Sequence, residues 1–152
     1  MTTLERKAKP AEIKVTYRKK SNSFDLIKVT QSSEIEELLR NVWSNQIEYK
    51  EEMILFCLNR QNEVLGYSKV SSGGSSGTVI DNKIILQIAL NTHSSGIIVA
   101  HNHTSGNLKP SQSDIEVTRR LRSACELIDI KLLDHIILSK ESYLSMTDHG
   151  LI

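Results

Sequence analysis

Two imidazoles and a carboxylate lie close together in the run His101-Asn102-His103-Thr104-Ser105-Gly106, which is followed by Ser111 and Asp114. In an extended segment, residues two apart point to the same side, so His101 and His103 can present their rings to one point. Asp114 opens what reads as the next helix, at a separation that a loop can fold back on. Two nitrogens, one oxygen and a water would give a four-coordinate zinc ion with an open position, the layout of a catalytic metal. Each part also has a plainer reading. An isolated HxH at a strand end can be two loop histidines, and Ser111-x-x-Asp114 can be only a helix capping box.

The elements that must position these residues are legible from periodicity. Ile97 to Ala100 reads as a short buried strand that delivers the histidines at its end. After a loop containing Pro110, Ile115, Val117, Leu121, Ala124, Leu127 and Ile128 recur at helical spacing, which predicts a helix over 113–128. Leu132 to Leu138 reads as a buried strand, and Tyr143 to Met146 as a last short one. Upstream, Ile13, Val15 and Tyr17 alternate with polar neighbours as a half-buried strand would. A helix follows from Ser32 or Ser33, with Ile35, Leu38, Leu39, Val42 and Trp43 on one face and Ser33 with Glu36 as a capping box. Met53 to Leu58 and Val64 to Val70 read as strands joined by a turn at Arg60-Gln61-Asn62-Glu63. The glycine- and serine-rich stretch 71–77 reads as a loop inside the domain, and Ile84, Ile85, Ile88 and Ala89 suit a helix from about Asp81.

The expected whole is a single α/β domain over 12–152, a mixed central sheet flanked by helices, after a loose tail at 1–11. A net charge of +1 excludes a whole-molecule field that would draw the protein onto nucleic acid or an anionic membrane. Residues 1–28 are locally basic, with eight lysines and arginines against three acids, so a solvated arm is expected and weak nucleic-acid contact is its sharper alternative. Cys57 and Cys125 form no CxxC pair and read as buried free thiols. No run approaches the roughly 20 apolar residues of a membrane span, and the polar, basic start lacks a signal-peptide core. Those readings place the protein in the cytoplasm.

The run HNHTSGNLKPSQSD, with its HxHx10D spacing, resembles the signature of RadC-like proteins, a bacterial branch of the JAMM/JAB (MPN-type) metalloprotease family. The stretches NRQNEVLGYSKVSSGG, SGTVID, IIVAHNH and LLDHIIL and the ending GLI are similar to those of short RadC-like proteins, so the resemblance runs from about Ile13 onward. It implies a sheet flanked by helices, related to the cytidine-deaminase-like fold, with zinc on His101, His103 and Asp114. It further implies that Ser111 hydrogen-bonds a tetrahedral oxyanion while an upstream glutamate takes a proton from water acidified by the metal. The helix-hairpin-helix module of longer RadC proteins has no counterpart in this sequence, which gives a DNA-repair role little support. Thr104 stands where the family usually has proline.

Aligned by this resemblance, the place of the glutamate falls near Ser68 or Lys69, neither of which is a carboxylate. The remaining candidates are Glu63 at the hairpin, the preferred one, and Glu51 or Glu52 before the preceding strand. The leading expectation is a zinc-dependent hydrolase of peptide or isopeptide-like amides. A zinc-bearing interaction module without catalysis is the alternative that a missing glutamate favours, and a nucleic-acid-associated module is the third. Asp134 and His135 interrupt an apolar strand and need partners, and Asp134 is expected either to orient a zinc-bound histidine or to make a structural hydrogen bond. His93 and His149 read as surface residues, and Trp43 and Tyr49 as packing residues.

Overall fold

A computed structural model describes residues 11–14, 16, 18, 26–73 and 80–152. The elements run α1 (Ser32–Val42), β1 (Glu52–Leu58), β2 (Val64–Ser72), α2 (Asn82–Asn91), β3 (Gly96–Asn102), α3 (Gln112–Leu127), β4 (Lys131–Leu138) and β5 (Tyr143–Ser145). They form one mixed sheet in the order β2-β1-β3-β4-β5. β3 and β4 are parallel and the other neighbouring pairs antiparallel. A parallel pair cannot be joined by a tight turn, so the chain crosses over from β3 to β4 through α3.

Helices cover both sheet faces, and strand parity decides which layer each residue joins. Ile54, Phe56, Leu58, Ile98, Ala100, Ile136 and Leu138 pack with Ile35 and Leu39 of α1. The alternate residues Met53, Leu55, Cys57, Ile97 and Val99 pack with Ile85 and Ala89 of α2 and Leu121 and Cys125 of α3. Every residue of β1 and β3 is consequently buried, which explains their unbroken apolar runs. Both cysteines are buried and free, and burial pushes the Cys125 thiol up to about 11. No helix among the described residues is long and apolar enough to cross a membrane.

Three local expectations are corrected. Residues 11–14 form no strand and Ile13 is 89% exposed, while Val15 and Tyr17 lie outside the described residues, as do 1–10 and much of the basic arm. The α1 cap sits two residues earlier than expected: Glu34 accepts from the backbone N–H groups of Thr30 and Gln31, while Glu36 pairs instead with Arg40 one turn on. Tyr49 is exposed rather than packed, whereas Trp43 does pack against the α1 layer. His93 and His149 are exposed, as expected. Residues 74–79 of the glycine-rich stretch lie outside the described residues.

Candidate metal centre

β3 carries the two histidines to its C-terminal end, where His101 pairs across the sheet with Met53 of β1. By parity, His101 belongs to the α2/α3 face, and Asp114 enters from the first turn of α3. The three side chains meet. His101 Nε2 lies 3.3 Å from Asp114 Oδ1, His103 Nε2 lies 3.3 Å from Asp114 Oδ2, and the two Nε2 atoms are 2.9 Å apart. Their ligating atoms all fall within 4.8 Å of one another.

Ser111 and Asp114 form a true capping box as well: Ser111 Oγ accepts from the Asp114 N–H at 3.0 Å, and Asp114 Oδ2 accepts from the Ser111 N–H at 2.7 Å. The capping reading and the site reading are thus compatible. The cap locks the carboxylate over the first turn of the helix, pointing at the histidines. Ser111 still has its hydroxyl hydrogen to donate, because its oxygen is the acceptor in the cap.

The donor chemistry suits a cation. His103 Nδ1 lies 2.6 Å from the Asn107 carbonyl, which can only accept, so that nitrogen carries the hydrogen and Nε2 is left for a ligand. Two ring nitrogens and a carboxylate converge on one point, the nitrogens 2.9 Å apart and each 3.3 Å from a different Asp114 oxygen, a donor set that could hold a metal ion. Electrostatics agree. Burial acts to raise Asp114, yet contacts with His101 and His103 together hold it well below the usual carboxylate range. Hydrogen bonding to Asp114 raises His103, and the charge of Glu51 acts in the same direction.

Glu51, ranked below Glu63 on the sequence, is the candidate glutamate that reaches the site. It precedes β1 and lines a cleft of about 230 Å³ together with His101, His103, Ser111 and Asp114. The backbone on either side of it is held by Asn102, the residue between the two histidines. Asn102 is fully buried; its Oδ1 accepts from Glu52 N–H at 2.7 Å, and its Nδ2 donates to the carbonyls of Ile47 and Lys50 at 2.7 and 3.0 Å. Chain on both sides of Glu51 is thereby fastened to the strand that carries the ligands.

The structure does not bring Glu63 to this cleft. Glu63 sits at the β1–β2 hairpin, bonded to Asn59, near the Leu58–Gly96 end of the sheet, whereas His101 lies beside Met53 at the other end. Five residue steps of β1 separate those ends, roughly 17 Å of extended chain. Ser68 and Lys69 lie on edge strand β2, paired with Leu55 and Ile54. Glu52 is directed by parity to the α1 face, where it accepts from Ser44 Oγ at 2.7 Å.

Asp134 is also on the wrong face. It pairs with Ile98, in the α1 layer, and accepts from His135 N–H, Ser145 Oγ and Thr147 N–H, so it makes structural hydrogen bonds and touches no site histidine. The second of its two expected roles is thus the one it fills, and the neighbouring His135 is the residue of this strand that reaches a site histidine. Its Nε2 lies 2.7 Å from His101 Nδ1, and its Nδ1 lies 2.6 Å from Thr118 Oγ1. Burial, reinforced by His101, pushes His135 well below the ordinary histidine range.

A family model described as the RadC-like JAB domain matches residues 29–151. A UPF0758 protein of Flavobacterium johnsoniae is 34% identical over 126 residues, 83% of this chain and 54% of that protein. A UPF0758 protein of Coprothermobacter proteolyticus is 32% identical over 153 aligned positions, 96% of this chain and 65% of its own length. UPF0758 protein YfjY of Escherichia coli is 35% identical over 103 residues, 68% of this chain and 64% of that protein. The chain spans between about half and two thirds of the length of these relatives.

Proposed function

Since the chain belongs to the RadC-like JAB domain family, we propose that it is a zinc-dependent hydrolase of amide or isopeptide bonds in a peptide or protein substrate. The observation that carries this reading is the single cleft shared by His101, His103, Asp114, Ser111 and Glu51. His101, His103 and Asp114 would hold the metal, which when bound supplies Lewis acidity at the scissile carbonyl and its attacking water. Glu51, on the cleft wall, takes the proton of that water and returns it to the amine nitrogen, which leaves only when protonated. Ser111 turns its hydroxyl hydrogen toward the oxyanion as charge develops there. Glu51 on the wall of this cleft favours the hydrolase over an interaction module without catalysis, because it offers the site a carboxylate.

The test is a hydrolysis assay on a peptide and isopeptide panel with zinc-loaded protein and its variants. Glu51→Gln is expected to retain zinc while turnover falls by about 10²–10⁴-fold, the usual contribution of a general base. Glu63→Gln should leave turnover unchanged. Undiminished turnover in Glu51→Gln would sink the assignment of the base, and no turnover on any member of the panel by the unaltered protein would sink the hydrolase reading for these bonds.

A further inference from the structure

Resting on the metal-site reading above, we propose that Thr118 and His135 are positioning residues: through them the backbone carbonyl of Asp114 fixes the tautomer of His101, leaving His101 Nε2 bare toward the ligand point. Each link follows from which partner has a hydrogen to give. The Thr118 hydroxyl lies 2.5 Å from the Asp114 carbonyl oxygen and 2.6 Å from His135 Nδ1. Two oxygens that close need a proton between them, and a carbonyl has none, so the single Thr118 hydrogen goes to Asp114. Met146 Sδ, 3.8 Å away, likewise brings no hydrogen. Thr118 Oγ1 therefore offers only lone pairs to His135, and His135 Nδ1 carries the hydrogen.

His135 is 1% exposed, and its ring nitrogens meet Thr118 and His101 with no carboxylate in contact. It is accordingly the neutral imidazole, with a bare Nε2. That atom lies 2.7 Å from His101 Nδ1, which must donate to it. In its neutral form His101 then has its lone pair on Nε2, the atom that faces His103 and Asp114. The other tautomer would place a hydrogen where the cation belongs.

The geometry also couples the ligands. Thr118 stands one turn after Asp114, so the first turns of α3 deliver a carboxylate to the site from one side and set the proton of His101 from the other. His103 reaches the same tautomer independently, through the Asn107 carbonyl.

Histidine tautomers in the full chain, ¹⁵N-labelled and free of metal, can be read from long-range nitrogen–proton NMR correlations, and zinc affinity from a competition titration. Both His101 and His135 are expected as Nδ1–H forms. Thr118→Val keeps the side-chain shape but removes the relay; it should let the Nε2–H form appear on either ring and weaken zinc binding by about ten- to a hundredfold, the usual effect of losing such a partner. Thr118→Ser should restore both. A lowered melting temperature in Thr118→Val with unchanged tautomers and zinc affinity would reduce the pair to packing and overturn the proposal. An Nε2–H His101 in the unaltered chain would overturn it as well. Failure of the underlying site reading is visible separately, as an unaltered protein that takes up no zinc, while the metal-free tautomers still decide the relay.

Discussion

His103 lies just past the end of β3 and is more exposed than His101, so it can be removed with less harm to the core. His103→Ala leaves one imidazole and one carboxylate, too few for tight binding at a site that needs three protein ligands. Zinc measured by elemental analysis after dialysis is expected to fall from about one ion per chain to a small fraction of that. Zinc retained at the original level would remove His103 from the ligand set. At this scale the sequence was most informative where partners are near neighbours: His101, His103 and Asp114 lie within one strand end, one loop and one helix start. Glu51 and His135 reach the site through strand pairing across the sheet, which no local spacing encodes. Glu63 ranks ahead of Glu51 on the sequence, but the antiparallel pairing of β1 with β3 carries it away from the histidines.

Among the elements, the segment between α1 and β1 depends most on a single side chain. Asn102 satisfies two carbonyls and one N–H of residues 47–52 from a fully buried position. Asn102→Leu has similar volume but leaves those three backbone groups to find water or other partners. Since each buried group left unpaired costs about 1–3 kcal/mol and some will be rehydrated, a loss of about 2–4 kcal/mol in urea unfolding is expected. The variant should also lose turnover, because the chain on both sides of Glu51 is released; unchanged stability and turnover together would show that the segment is held by other means. Most elements were foreseen to within two residues because β1 and β3 carry continuous apolar runs, β4 an apolar run interrupted by Asp134 and His135, and α1 to α3 helical stripes. The N-terminal alternation misled because an apolar alternation forms a strand only if a sheet edge receives it, and Ile13 meets none.

At the scale of the whole molecule, the sheet sorts polar residues between two layers, and its stability should carry the mark of Asp134, a carboxylate buried in the α1 layer. Burial raises Asp134 above the ordinary aspartate value of 3.8, although hydrogen bonds from Ser145, Thr147 and His135 act the other way. A carboxyl raised on folding is protonated more readily in the native than in the unfolded chain, so the native state gains stability as pH falls and loses it as pH rises through the raised value. The unaltered protein is therefore expected to gain stability relative to Asp134→Asn on acidification from neutral pH toward about 4, where the unfolded carboxyl begins to titrate. Denaturant melts of the two proteins at a series of pH values check this; a stability difference that is constant, or that moves the other way, would contradict it. The layered architecture itself was legible, since apolar runs alternating with helical stripes call for a covered sheet. Which face each polar residue takes was not, because it turns on a bulge between Ile97 and Ile98 that shifts the pairing with β4 by one residue.

The parallel pairing of β3 with β4 has a consequence for a chain being made on the ribosome. Synthesis releases His101, His103 and Asp114 well before residue 135, so the complete ligand set is present while the ring of His101 still lacks the neighbour that orients it. An ion captured at that stage would meet an unsorted imidazole on a strand with one side unpaired. On the metal-site reading, the site is therefore complete only once β4 has docked beside β3, so orderly loading would follow the release of the whole β3–α3–β4 unit.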